Sequence, residues 1–242
     1  MSQFPNSSGF NKPQKFQLEY ATGEKTMMQF FNMVYAWMCA GLAVTAVTAY
    51  VMATEYPQFV MRIGRGGLLL FLVEMGLVYV ISGALNKIST TTATVLFMLF
   101  AALNGVSFAI IFMIFKLGTI ASTFIICAGT FGAMSVYGMV TKRNLSTMGR
   151  ILGMAVWGLI IASVVGIFFH NTIMQVIINY AGVLIFVGLT AADTQKLKEI
   201  GEATQHDPQM ASRLAIVGSL TLYLDFVNLF IFLLRIVGGR RD

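Results

Sequence analysis

The chain has 242 residues, 57% hydrophobic and only 11% charged, with a mean hydropathy of +0.78. A water-soluble domain carries roughly a quarter of its residues as charges, so this composition excludes one and indicates a protein that resides in a bilayer. The formal charge of +6 comes from sixteen Lys and Arg spread between apolar stretches rather than gathered on one face, which argues against nucleic acid as a partner.

In chain order, residues 1–25 are polar and lack the apolar core of a signal peptide. They read as a cytoplasmic N-terminal segment, either a disordered terminus or a handle for a partner, ahead of a membrane domain at 26–238 and a tail at 239–242. A hydrocarbon core about 30 Å thick requires roughly 20 apolar residues per helix, and seven runs meet that need. The first, Phe30–Met52, carries Ala36, Ala40, Gly41, Ala43 and Ala46, small residues that let helices approach. The second, Gly67–Leu85, contains Glu74. The third, Thr92–Phe115, contains Asn104, expected to bond to a neighbouring helix. The fourth, Thr119–Val140, has a second small-residue surface at Gly129, Gly132, Ala133, Ser135 and Gly138. The fifth, Ile151–Phe169, is followed by His170, which has no second ligand nearby in sequence to make a metal site. The sixth, Met174–Ala192, ends at Asp193, and the seventh, Leu214–Ile236, holds Asp225 near its middle.

In lipid only helices and closed barrels satisfy every backbone polar group, and the ten-residue alternation of a barrel is absent. The expected fold is therefore an all-α membrane protein, a seven-transmembrane-helix bundle, with six spans plus a re-entrant final segment as the alternative. Cys39 and Cys127 both fall inside apolar runs without CxxC spacing, which predicts packed thiols rather than a disulfide or a zinc site. With the N-terminus in the cytoplasm, ten of the sixteen Lys and Arg fall on that side, as the positive-inside rule prefers; Arg235, Arg240 and Arg241 argue the other way.

The chemistry concentrates in the acids. An ionised aspartate at mid-bilayer costs about 2.5–3.5 kcal/mol on insertion scales, so Asp225 must be protonated, paired or hydrated. Asn228 and Arg235 follow it at helical spacing, predicting a polar stripe turned toward the bundle interior. Asp193, beside Lys196 and Lys198, reads alone as a solvated interfacial charge. With Asp225 on the next helix it becomes a candidate partner in a coupled carboxyl pair. Glu74 could line the same cavity. Hard oxygen donors suit calcium or magnesium, while the scarcity of His and Cys disfavours zinc or copper; calcium would be bound weakly or in passage rather than as a tight cofactor, and protons would compete with it for the same carboxylates.

The run Ser219-Leu220-Thr221-Leu222-Tyr223-Leu224-Asp225-Phe226-Val227-Asn228-Leu229-Phe230-Ile231-Phe232-Leu233-Leu234-Arg235 resembles the final span of the Bax inhibitor-1 family. Asp193-Thr194-Gln195, Glu74 and Glu24-Lys25 fit it too, and the resemblance covers about residues 20–238. It implies a seven-helix fold with the last helix central and a pH-sensitive calcium leak governed by paired aspartates, here Asp193 and Asp225. In bacterial relatives an arginine near the end of the second span latches onto the sixth-span aspartate. Here that stretch reads Ala84-Leu85-Asn86-Lys87, so Lys87, with Arg235 as a second candidate, would have to serve as the latch. Some members resemble regulators that bind a membrane-anchored ATP-dependent protease, a non-channel alternative. The short N-terminal segment and the lack of an appended domain point to a bacterial plasma membrane, with a eukaryotic endomembrane as the alternative.

Enzymatic readings fare worse. No lysine follows Lys198, so a retinal Schiff base in the last span is excluded. An intramembrane aspartyl protease carries GxGD, whereas Asp225 follows Leu222-Tyr223-Leu224 and Asp193 follows Ala191-Ala192. A rhomboid-type serine peptidase needs GxS with a central histidine, and Ser135 follows Ala133-Met134.

Overall fold

The computed structural model describes residues 12–64, 67–83, 89–169 and 172–238. Lys87, His170, Arg240 and Arg241 lie outside the described residues, so the proposed Lys87 latch has no structural description.

Among the described residues the chain forms eight α-helices: α1 Lys12–Glu55, α2 Pro57–Gly64, α3 Gly67–Gly83, α4 Thr90–Ile114, α5 Leu117–Val140, α6 Ser146–Phe169, α7 Thr172–Ala203 and α8 Pro208–Val237. Local chemistry sets their ends. Pro57 restarts the chain as α2, a position where its missing N–H breaks no helical bond. Ser89 caps α4 by accepting from the Thr92 N–H at 3.1 Å, and Asp207 caps α8 by accepting from the Met210 N–H at 3.0 Å.

Six of these helices are long and apolar enough to cross a membrane, which corrects the expectation of a seven-transmembrane-helix bundle. The second apolar run is the one that falls short. It yields α3, only 17 residues long, and at about 1.5 Å per residue that is roughly 25 Å against a core of about 30 Å. The final run needs no re-entrant turn, because α8 is one continuous helix of 30 residues.

α1 and α4 lie side by side and run in the same direction. Gly41 meets Phe97, Thr45 bonds to the Ala101 carbonyl, and Tyr50 meets Phe112, so contacts advance together along both helices. α2 and α3 connect them, and α3 packs against α4. The helix backbones come close at Gly105, where a Cβ would stand 2.7 Å from the Thr45 carbonyl oxygen. The same logic joins α5 to α7, since a Cβ on Gly138 would collide with the Ala191 carbonyl. Between helices in lipid the hydrophobic effect offers little, so such close backbone contacts carry the association.

α8 is the most enclosed helix, packed against α7, α1, α5 and α4, with half of its central stretch buried against 6% for α6. Phe226 is held edge-on by Phe124 and Phe131, with centroids 5.3 and 5.4 Å away. Cys127 is packed as expected and its thiol donates to the Phe226 carbonyl at 3.6 Å, whereas Cys39 is exposed on the outer surface of α1.

Candidate functional site

Asp225 is 4% exposed on α8, the helix with the least access to water or lipid. Roughly 26 Å of helix precede it and about 18 Å follow, which keeps it well away from either end. Asp193 approaches from α7. Its run of apolar residues ends at Ala192, but the helix does not: α7 continues to Ala203, because Thr194, Leu197 and Gly201 form a buried face. Leu197 packs on Gly218 of α8, and Gly201 on Met27 and Phe30 of α1. Asp193 is therefore a half-buried residue inside a helix, not a loop charge, which removes the reading of a solvated interfacial acid.

Asp193 on α7 and Asp225 on α8 stand close enough for the charge of each carboxyl to be felt at the other. Asp225 Oδ2 has no partner among the described residues. Lys196, one turn along α7, is the nearby positive charge.

The other expected site residues are placed differently. Glu74 is buried on α3, and its Oε1 accepts from the Ser107 hydroxyl of α4 at 2.6 Å, so it joins those two helices and does not bond to the aspartates. Asn228 is half-buried and its Nδ2 donates to the Leu224 carbonyl of its own helix at 2.8 Å. Arg235 is exposed, its guanidinium 5.8 Å from the Phe232 ring centroid. The polar stripe therefore does not face inward along its length: ten residues separate Arg235 from Asp225 toward the end of α8 remote from Asp193, so Arg235 cannot be the latch. Asn104 is 7% exposed, and its Oδ1 has no partner among the described residues in place of the expected interhelical bond.

A polar node that the sequence does not reveal lies on the opposite side of α8. The Tyr223 hydroxyl and Thr45 Oγ1 are 2.6 Å apart, and Thr45 Oγ1 also lies 2.9 Å from the Ala101 carbonyl, joining α8, α1 and α4. Phe97 and Phe100 stand edge-on to the Tyr223 ring at 5.7 and 5.8 Å. Glu74 is close enough for its charge to be felt at Tyr223. Tyr223 precedes Asp225 by two residues, about 200° around the helix, so α8 separates the node from the aspartate pair. Among the described residues no group of three or more His, Cys, Asp or Glu could hold a metal ion.

The chain matches the family described as Inhibitor of apoptosis-promoting Bax1 over residues 27–242. It belongs to the Bax inhibitor-1 family. The match includes Glu74, Asp193 and Asp225. Within this family the chain is similar to the inner membrane protein YbhL of Escherichia coli, 41% identical with all of both chains covered. An uncharacterised protein of Borreliella burgdorferi is 47% identical over 88% of this chain and 93% of its own length. One from Deinococcus radiodurans is 40% identical over 91% and 96%. With six helices long and apolar enough to cross a bilayer among the described residues, the chain is a multi-pass membrane protein.

Proposed function

We propose that this protein is a proton-regulated calcium leak of the bacterial inner membrane, with Asp193 and Asp225 as its sensor. The observation that supports the reading is the closeness of two carboxyl groups on adjacent packed helices, one of them buried on the most enclosed helix of the bundle. While the pair holds a proton, it carries at most one negative charge. Loss of that proton leaves two like charges in a poorly hydrated site, where repulsion acts directly on the packing of α7 against α8. Calcium is the hard cation whose ligand preference matches such oxygens, so it competes with the proton for them. Glu74 lies beyond Tyr223 as seen from the pair, so a path joining the acids passes the Tyr223–Thr45 node.

The bundle end that bears Lys142, Arg143, Arg150, Lys196, Lys198 and Arg213 is placed in the cytoplasm by the positive-inside rule. The inner-membrane location follows from the likeness to the Escherichia coli inner membrane protein YbhL.

Calcium entry into dye-loaded liposomes, followed across the pH range around neutrality, tests the function. Wild-type flux should depend on pH, and Asp193→Asn and Asp225→Asn should each abolish that dependence, leaving the leak held open or held shut. Background flux from folded wild-type protein at every pH would overturn the leak.

A further inference from the structure

The end of the bundle with most of the cations contains a second built feature, separate from the aspartate pair. A cavity of about 250 Å³ lies between the α5–α6 loop and the last turns of α7, lined by Lys142, Arg143, Lys198, Glu199, Glu202 and Gln195 among others. That is the volume of about eight liquid waters.

The loop is held in place by its own chemistry. Gln195 grips it twice, accepting from the Leu145 N–H at 2.6 Å and donating to the Arg143 carbonyl at 2.8 Å. Lys198 donates to the Met139 carbonyl at 3.1 Å. Leu145 is 6% exposed and clusters with Ala191 and Ala192, while Asn144 Oδ1 accepts from the Ser146 N–H at 2.8 Å to start α6. Gln195, Lys198, Glu199 and Glu202 are spaced three and four residues apart, so α7 presents them on one face.

The charges are of both signs and partly segregated: Lys142 and Arg143 on the loop, Glu199 and Glu202 on the helix. Among the described residues these four exposed side chains form no ion pair with one another. A metal ion would be repelled by the neighbouring cations, and a simple anion by the two glutamates. A ligand that carries both a phosphate and an ammonium satisfies both groups.

The setting decides its source. α7 has 32 residues, roughly 48 Å of helix, so its last turns stand beyond a hydrocarbon core of about 30 Å, at the level of lipid headgroups. The cavity borders exposed apolar surface. Val140, next to the lining residue Thr141, is 72% exposed, and Ile151, within two turns of the start of α6, is 61% exposed. Acyl chains can lie along that surface while the headgroup enters the cavity.

We infer that this cavity binds the headgroup of a zwitterionic phospholipid bearing a primary ammonium, phosphatidylethanolamine in chemical class, with Lys142 and Arg143 on the phosphate and Glu199 and Glu202 on the ammonium. The inference is independent of the calcium reading, because it concerns different residues and a different readout.

Native mass spectrometry of the purified full-length protein, supplied with phosphatidylethanolamine, phosphatidylglycerol and phosphatidylcholine of identical acyl chains, tests it. Wild type should retain phosphatidylethanolamine over the other two by about tenfold, the size of one charge-assisted hydrogen bond. Glu199→Gln with Glu202→Gln should erase that preference while leaving phosphatidylglycerol bound. Lys142→Gln with Arg143→Gln should weaken retention of all three. Arg62→Gln, at the other end of the bundle, should change nothing. If a double variant fails to fold, Glu199→Gln and Arg143→Gln alone report the same two effects. Equal retention of the three lipids by wild type, or a preference that survives both double variants, would overturn the proposal. So would displacement by soluble phosphoethanolamine at concentrations matching the lipid, which would assign the cavity to a free metabolite.

Discussion

At the scale of single residues, the molecule places polar groups on two sides of α8 and satisfies them unequally. Asp225 leaves one oxygen without a partner among the described residues, whereas the Tyr223 hydroxyl is matched by Thr45 and clamped between two phenylalanine rings. Tyr223→Phe removes the hydroxyl alone and keeps the ring packing, and Thr45 retains the Ala101 carbonyl. It should therefore destabilise the protein by about 0.5–1.5 kcal/mol, the range for one buried neutral hydrogen bond. Reversible unfolding in detergent would measure this, and a loss of several kcal/mol would show that the node does more than join three helices. Asp225 was legible in the sequence because a carboxyl in an apolar run stands out. Tyr223 was not, because tyrosine is common in membrane helices and its partner is 178 residues away.

At the scale of elements, small residues divide into those that permit contact and those that face outward. Gly105 and Gly129 look alike in sequence, both within long apolar helices. A Cβ on Gly105 would press on the Thr45 carbonyl and the Thr48 side chain, each at 2.7 Å, whereas one on Gly129 meets nothing within 4 Å. Gly105→Ala should therefore cost about 1–3 kcal/mol by overpacking the α1–α4 seam. Gly129→Ala should be neutral or slightly stabilising, since alanine is the better helix former. Comparing the two melting temperatures checks the seam directly; equal temperatures would mean that α1 and α4 separate more easily than their geometry implies. The helix ends follow the same division. Hydropathy ends the sixth run at Ala192, but α7 extends eleven residues further because one face of that polar stretch packs on α8 and α1. Apolar content alone cannot register a helix whose other face is charged.

At the scale of the whole molecule, the contacts sort the connections to two ends. Phe115 packs against Gly238, and Tyr50 against Phe112, which brings together the ends of α1, α4 and α8. Gly201 against Met27 and Phe30, with Lys198 on Met139, brings together the ends of α5 and α7 and the membrane entry of α1. Single cysteines at Asn144 and Gln205, in a chain lacking Cys39 and Cys127, should therefore react with an impermeant thiol reagent from one side of the membrane. Cysteines at Glu55 and Lys116 should react only from the other, and mixed labelling within either pair would contradict this arrangement. The sequence by itself determined the class of the protein, the position of its apolar helices, its family and the two aspartates, because each is written in local composition or a contiguous motif. Only the tertiary structure decided that six helices are long enough to cross, that Asp193 lies within a packed helix, and that Glu74 bonds Ser107 while Arg235 turns outward. The physical reason is that length, facing and partnership are set by which helix surfaces meet, and residues far apart in the chain carry no local mark of that meeting.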